Sequence, residues 1–348
     1  MVNVAIVGLG YWGPNLLRNV ASLEDVRIVA LCDLDLQRAD ASRRRFCPDA
    51  RLIDDYRMLG DQSDVKAVVI ATPIQTHYEL GSFFLGAGRH VLMEKPLART
   101  ALECQSLIAL AARNRRVLMV GHVFEYNVAA QRIKRYIEDG ELGTLFYLYS
   151  QRVNLGRIQH DVNPMWSFAP HDISIMNYWF GQEPLWVSAR GFSYLGSKIE
   201  DVVFLTLEYP SGIGAHLHLG WLDPRKVRLM TLVGSKKMVV YDDVSLHAKI
   251  QLYDKGITDL DDFLKAPETF AEFQFRLRQG DVVIPTLQFS EPLQNECSHF
   301  IDCIKNCKQP ATDGLSGLRV VRVLEAAEQS LKLNGKQIEL PGRLSITA

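Results

Sequence analysis

Apolar residues in the first third of the chain come in short unbroken runs, separated by longer stretches whose apolar positions recur three and four apart. Residues 4–7, 26–32, 65–71, 90–93 and 117–120 read as strands buried on both faces. Residues 38–46, 77–87 and 102–113 between them read as helices, the second stopped by Gly86 and Gly88. Repeated strand–helix–strand units predict a doubly wound parallel sheet, an α/β domain spanning 1–121.

From His122 the pattern changes. A helix is expected over 129–139, broken by Gly140 and Gly143, and strand-like aromatic segments follow at 145–153, 187–192, 202–209, 212–221, 227–233 and 238–241. Tight turns such as Pro210-Ser211-Gly212 join several of them, so this part predicts a large, mostly antiparallel open sheet in an α+β domain spanning 122–348. Pro164 and Pro170 interrupt it, and a short helix with Ile175 and Trp179 on its apolar face is expected after them. Residues 254–292 read as irregular connections with short elements, and 295–306 and 318–333 as two helices expected to fold back on the first domain. No internal repeat or low-complexity tract is visible.

With 348 residues, two domains are the natural expectation. Lysine and arginine number 39 against 40 acidic residues, a balance that gives no bulk attraction to nucleic acid or an anionic membrane. The six cysteines form no C-x-x-C pair, which suits a reducing compartment. No signal-peptide pattern or membrane-length apolar run is present, and a cytoplasmic location is expected.

The chemistry begins where the first strand ends. Gly8-Leu9-Gly10-Tyr11-Trp12-Gly13-Pro14 is a G-x-G-x-x-G turn leading into a helix. In such a turn the first glycine makes the bend, the second admits a pyrophosphate, and the third lets helix and strand pack closely. Pro14 suits the first turn of that helix. Asp33 closes the second strand about 20 residues on, where the fingerprint places an acid that accepts from the adenosine ribose hydroxyls. Leu34 follows it, and the Asp33 charge would repel a 2′-phosphate, so NAD is favoured over NADP, with Arg38, Arg43, Arg44 and Arg45 the nearby cations that oppose this. Ligands in these sheets sit beyond the carboxyl ends of the strands. That brings in Thr72-Pro73 and Glu94-Lys95-Pro96, where a lysine could reach a substrate oxygen. His216 and His218 share a strand face, but with no third ligand no metal site is expected.

The glycine fingerprint, Asp33, Thr72-Pro73 with His77, Glu94-Lys95-Pro96, Gly121-His122 and Pro170-His171-Asp172 occur in the order of the glucose–fructose oxidoreductase/inositol dehydrogenase (Gfo/Idh/MocA) family, which the chain resembles over nearly its whole length. Within that family, residues 10–15, 152–156 and 166–173 look like the nucleotide-sugar branch typified by UDP-N-acetylglucosaminuronate 3-dehydrogenases. The resemblance implies that Lys95 is the active-site lysine, with a cis Pro96 after it, and His171 the acid/base. It implies that Tyr11, Trp12, Thr72, Pro73, His77, Glu94, His122 and Asn127 join the glycines and Asp33 around the cofactor. Arg152, Asn154, Asn163, Ser167 and Asp172 are the substrate-binding candidates, and a homodimer or homotetramer formed through the second sheet is implied.

Many relatives carry aspartate four residues before this histidine, where the chain has Ser167. Asp172 is no simple substitute, because adjacent helical residues point about 100° apart. Three readings follow. The first is NAD-dependent hydride transfer at a ring hydroxyl, C3, of a UDP-N-acetylhexosamine or its uronate. The second is the same chemistry on a free cyclitol or simple sugar. The third is a catalytically silent NAD-binding sensor.

Overall fold

The computed structural model describes residues 1–156, 158–159, 162–196, 199–257 and 277–341. They divide into two compact units, one made of Met1–Asn127 with Ser290–Glu325 and the other of Val128–Phe289 with the residues from Ala326 onward.

The first unit is built on six parallel strands: β1 (Val2–Val7), β2 (Val26–Cys32), β3 (Arg51–Ile53), β4 (Ala67–Ile70), β5 (His90–Glu94) and β6 (Leu118–Gly121). Their order is β3-β2-β1-β4-β5-β6, so the chain reverses direction across the sheet between β1 and β4, the usual position of a ligand crevice. Alternation along each strand makes two cores. Ala5, Val7, Val68, Ile70, Val91, Met93 and Val120 face one side, covered by α3 (His77–Gly86), α4 (Ala101–Asn114) and Leu318 and Val321 of the C-terminal region. Val4, Ile6, Val69, Leu92 and Met119 face the other, against α1 (Gly13–Ala21) and Leu293, Cys297, Phe300 and Ile301. α2 (Leu36–Phe46) joins β2 to β3.

The second unit carries a nine-stranded sheet. Its strands are β7 (Leu145–Val153), β8 (Trp186–Phe192), β9 (Val202–Glu208), β10 (Gly214–Gly220), β11 (Val227–Gly234), β12 (Met238–Asp242), β13 (Ile250–Tyr253), a two-residue strand Val282–Val283, and Ile338–Glu339 at the far edge. All described pairings in it are antiparallel except β7 with β10. α5 (Val128–Glu138) and α6 (Pro164–Phe180) belong to this unit. α7 (Pro292–Asn306) belongs to the first, and α8 (Gly314–Lys332) passes from the first to the second.

α6 corrects one expectation. It is a 17-residue helix beginning at Pro164, not a short one after the prolines. The Asn163 side chain caps it by accepting from the Trp166 amide at 3.2 Å, and Pro164 occupies a first-turn position where it loses no bond. Pro170 does sit inside the helix. Buried Met165, Ala169, Ile173 and Met176 hold the segment helical around it. Two further strands escaped the hydrophobic pattern, β3 and β13, as did the two-residue edge strands. The 254–292 stretch contains short paired strands at Gly256–Ile257, Leu277–Arg278 and Val282–Val283, and the rest of its irregular reading, over 258–276, lies outside the described residues.

Candidate active site

The glycine turn has the geometry that the chemistry needs. Gly8 has φ of +90°, a conformation L-residues avoid, and a side chain there would meet the Ala71 carbonyl at 2.9 Å. A Cβ on Gly13 would sit 2.1 Å from the Gly8 carbonyl oxygen, so the helix approaches the strand too closely for any other residue. At Gly10 the nearest atom is 3.8 Å away, an open approach for a phosphate beside the α1 amino terminus. Tyr11 is exposed and Trp12 partly so.

Asp33 is tied to that turn. The Leu9 amide donates to one carboxylate oxygen at 2.6 Å and the Asp35 amide to the other at 2.9 Å. The carboxylate is thus aimed by the fingerprint itself, with lone pairs left for ribose hydroxyls. The neighbouring arginines are mostly engaged. Arg43 and Arg44 bind Asp40, Arg45 lies over the Phe46 ring, and Arg38 binds Asp35 at 3.0 Å.

At the ends of β4 and β5 the chain is braced by His77. Its Nδ1 lies 2.8 Å from the Pro96 carbonyl and its Nε2 3.0 Å from the Thr72 carbonyl, and only 1% of the residue is exposed. Burial pushes its pKa down. His77 therefore lies between the Thr72 carbonyl and that of Pro96, whose peptide bond to Lys95 is cis. Pro73 is exposed beside it. Glu94 accepts from the Lys95 amide at 3.2 Å and from the Trp12 side chain, and its carboxylate lies against Gly121. The fingerprint and the Glu-Lys-Pro element are thereby joined through one carboxylate.

His122 is fully buried, and neither ring nitrogen has a hydrogen-bond partner among the described residues. Burial, reinforced by the Lys95 charge, lowers its pKa to about 3, so the imidazole is neutral at physiological pH. A buried neutral ring with two unsatisfied nitrogens implies a polar group not supplied by the protein. Asn127 is buried a few residues on. The open Gly10, the aimed Asp33 and the unsatisfied His122 all fit a dinucleotide. The fingerprint would hold its pyrophosphate, Asp33 its adenosine ribose and the His122 region its nicotinamide half.

In the second unit, α6 carries His171, which is half-buried. Asp172, next in sequence, is fully buried and accepts from Arg152 Nη2 at 2.6 Å, Arg152 Nε at 2.8 Å and Ser150 Oγ at 2.9 Å. Burial opposes the Arg152 charge, and Asp172 more than restores it. Arg152 and Asp172 thus bind each other in a buried ion pair that fastens α6 to β7, one residue from His171. Asn163 is likewise occupied, capping the helix and donating to Glu200 at 3.0 Å. These three, expected to meet substrate, each have a partner within the protein. Ser167 is half-buried with Gln159 at 3.3 Å, and Asn154 folds over Gly156. His216 stacks on Phe204 and lies 3.3 Å from Thr206 Oγ1, while His218 stacks on the same ring. Among the described residues no group of three or more His, Cys, Asp or Glu is placed to hold a metal, and no helix is long and apolar enough to cross a membrane.

Residues 2–122 match the Gfo/Idh/MocA family model described as "Oxidoreductase family, NAD-binding Rossmann fold", and residues 130–240 match the C-terminal domain model of the same family. The chain belongs to the Gfo/Idh/MocA family. Among its relatives, an inositol 2-dehydrogenase of Salmonella typhimurium is 28% identical over 218 residues, which are 61% of this chain and 65% of that protein. The match thus spans just under two thirds of the inositol enzyme. A D-apiose dehydrogenase of Paraburkholderia graminis is 25% identical over 97% of this chain and 89% of its own. Among solved structures, the UDP-N-acetylglucosamine 3-dehydrogenase of Acidithiobacillus ferrooxidans superimposes with a TM-score of 0.79 at 21% identity, covering 95% of this chain and 97% of that one, a likeness of fold.

Residues 2–122 form an NAD-binding Rossmann domain, and Asp33 is the residue expected to set the preference for NAD over NADP. Replacing Asp33 with serine is expected to weaken NAD binding by roughly 10- to 100-fold, the loss of charge-assisted ribose bonds. NADP should gain relative to NAD, because Arg38 stands beside Gly10. Fluorescence titration with both cofactors checks this, and an unchanged NAD affinity would remove Asp33 from the site.

Proposed function

We propose that this family member is an NAD-dependent dehydrogenase that transfers a hydride between nicotinamide and the C3 hydroxyl of a nucleotide-activated sugar, a UDP-N-acetylhexosamine or its uronate. The observation that carries the chemistry is the Glu94-Lys95-Pro96 element closing β5, with the Lys95 charge felt at a neutral, buried His122. Bound NAD would supply the hydride acceptor. The chain's residues do the rest. Lys95 donates a hydrogen bond to the reacting oxygen and stabilises charge that develops on it. His171 takes the hydroxyl proton as the C–H hydride departs, leaving a ketone. In the reverse direction the same histidine returns the proton. Neutral His122 adds polar contacts beside the nicotinamide and no second positive charge.

The sugar class rests on the residues around the fingerprint and α6 that resemble the nucleotide-sugar branch. The inositol 2-dehydrogenase relatives favour a second reading, a free cyclitol. The two separate on mixing purified protein, at stoichiometric concentration with NAD, with UDP-N-acetylglucosaminuronate, UDP-N-acetylglucosamine or myo-inositol. Reduced-nicotinamide absorbance appearing with a UDP-sugar alone supports the proposal. A signal with inositol alone replaces the substrate class, and silence with all three removes the proposed substrates.

A further inference from the structure

The apolar face of α7 reads Leu293, Cys297, Phe300 and Ile301, and Glu296 lies within it. Its side chain is fully buried, and neither carboxyl oxygen has a hydrogen-bond partner among the described residues. Such a group is costly and calls for an explanation. Its surroundings belong to the cofactor region of the same unit. α7 packs on the short turn Val123–Tyr126 that follows His122, and Asn295 donates to the Tyr126 carbonyl at 3.2 Å. The acids whose charge is felt at Glu296 are Glu94 and Glu125. Tyr126 and Cys297, both buried, are the other titratable neighbours, and Arg18 pairs with Glu291 at the start of α7.

Two carboxyls that feel each other's charge, Glu296 fully buried and Glu94 half-buried, cannot both ionise cheaply. Donors decide which keeps the proton. Burial pushes the Glu94 pKa up, but the Lys95 charge, the Lys95 amide and the Trp12 side chain all favour its anion, whereas Glu296 has no such donor among the described residues. We propose that Glu296 is a neutral carboxylic acid that donates its O–H to the Glu94 carboxylate, directly or across one internal water, and so positions Glu94 between Trp12 of the fingerprint and Lys95. Glu296 is a positioning residue. It acts through Glu94 on the turn that receives the pyrophosphate and on the backbone that presents the lysine. Burial and the adjacent acids raise its pKa well above the usual carboxylate range, consistent with that proton. The inference rests on the cofactor reading of the fingerprint but not on any particular sugar.

The sign of its pH dependence follows from linkage. The native state holds a proton that the unfolded chain releases near pH 4–5, so wild-type stability falls as pH rises above about 4 toward the raised native value. Glu296→Gln lacks that penalty. Without any cofactor, it is expected to melt above wild type, by a margin that widens as pH rises above about 5. The infrared difference spectrum of wild type minus Glu296→Gln at neutral pH should show the carbonyl stretch of a protonated carboxylic acid. Glu296→Leu, which removes the donor, is expected to weaken NAD binding about tenfold, and glutamine, whose amide can still donate, to recover most of it. A pH-independent melting difference, or no acid carbonyl band, overturns the protonated carboxyl. If the band is present but leucine and wild type bind NAD equally, the positioning role is overturned. Because all these readouts omit substrate, failure of the proposed sugar chemistry leaves them interpretable.

Discussion

Replacing Lys95 with alanine is expected to lower turnover by about 100- to 10,000-fold while NAD still binds, and His171→Ala to do the same. The size follows from what each group contributes. A ring hydroxyl loses its hydride only as its proton leaves, so a base must touch the oxygen, and without one the step proceeds through a high-energy cationic carbon. An ammonium group lowers the charge penalty on the same oxygen. If both act on one oxygen as proposed, their losses should not add, and the double variant should resemble the worse single one. Ser167→Asp tests the departure from the common pattern. A rise in turnover would mean that serine limits catalysis, and no change would mean that the site works without a carboxylate there. Stopped-flow nicotinamide absorbance after NAD saturation measures all four, and full activity of both alanine variants would refute the mechanism.

The largest effect on stability is expected at the ion pair beneath α6. Arg152→Met leaves Asp172 buried with only Ser150 to donate to it, and loss of one partner from such a pair costs about 3–5 kcal/mol. The second unit should therefore unfold at markedly lower denaturant, followed through its buried Trp179 and Trp221. Arg152→Met with Asp172→Leu should recover much of the loss, because no charge is then stranded. Turnover is a second readout. If the pair sets the rotation of α6, the stable double variant should still be slow, since His171 is no longer held in place. A single variant as stable as wild type would show that water reaches the pair.

Both halves of the fold were legible where order is local. The parallel sheet announced itself through β-branched runs and glycine-terminated helices, and the second sheet through alternation and tight turns. β3 was missed because three residues, Arg51–Ile53, are too few to carry a period. β13 and the strand at Ile338–Glu339 form by adding to an existing edge, a gain visible only once Met238–Asp242 and Trp186–Phe192 are in place. Proline suggested a late start for α6, whereas an asparagine cap and a first-turn proline start it at Pro164. The helix-spaced apolar residues of 292–306 would suit any surface helix, so nothing local says which core they cover.

The site was legible in part for the same reason. Gly8, Gly10, Gly13 and Asp33 announce themselves by spacing, because the turn geometry needs those residue types. Arg152 and Asp172 look like ligand-binding groups in sequence, and only the register of β7 against α6 shows them bound to each other. Glu296 gave one signal, a carboxyl at an apolar helical position. Glu94, the partner proposed for it, is about 200 residues away in the chain, beyond any local pattern.

Hydride transfer from a sugar carbon to NAD can be followed by isotope tracing. UDP-N-acetylglucosaminuronate carrying deuterium at C3 would be mixed with stoichiometric protein and NAD, and the nicotinamide examined by mass spectrometry and NMR. Deuterium at C4 of reduced nicotinamide, with the sugar converted to its 3-keto form, is the predicted result. Reduced nicotinamide without deuterium would place the chemistry at another carbon, and unchanged NAD alongside intact deuterated sugar would contradict the account.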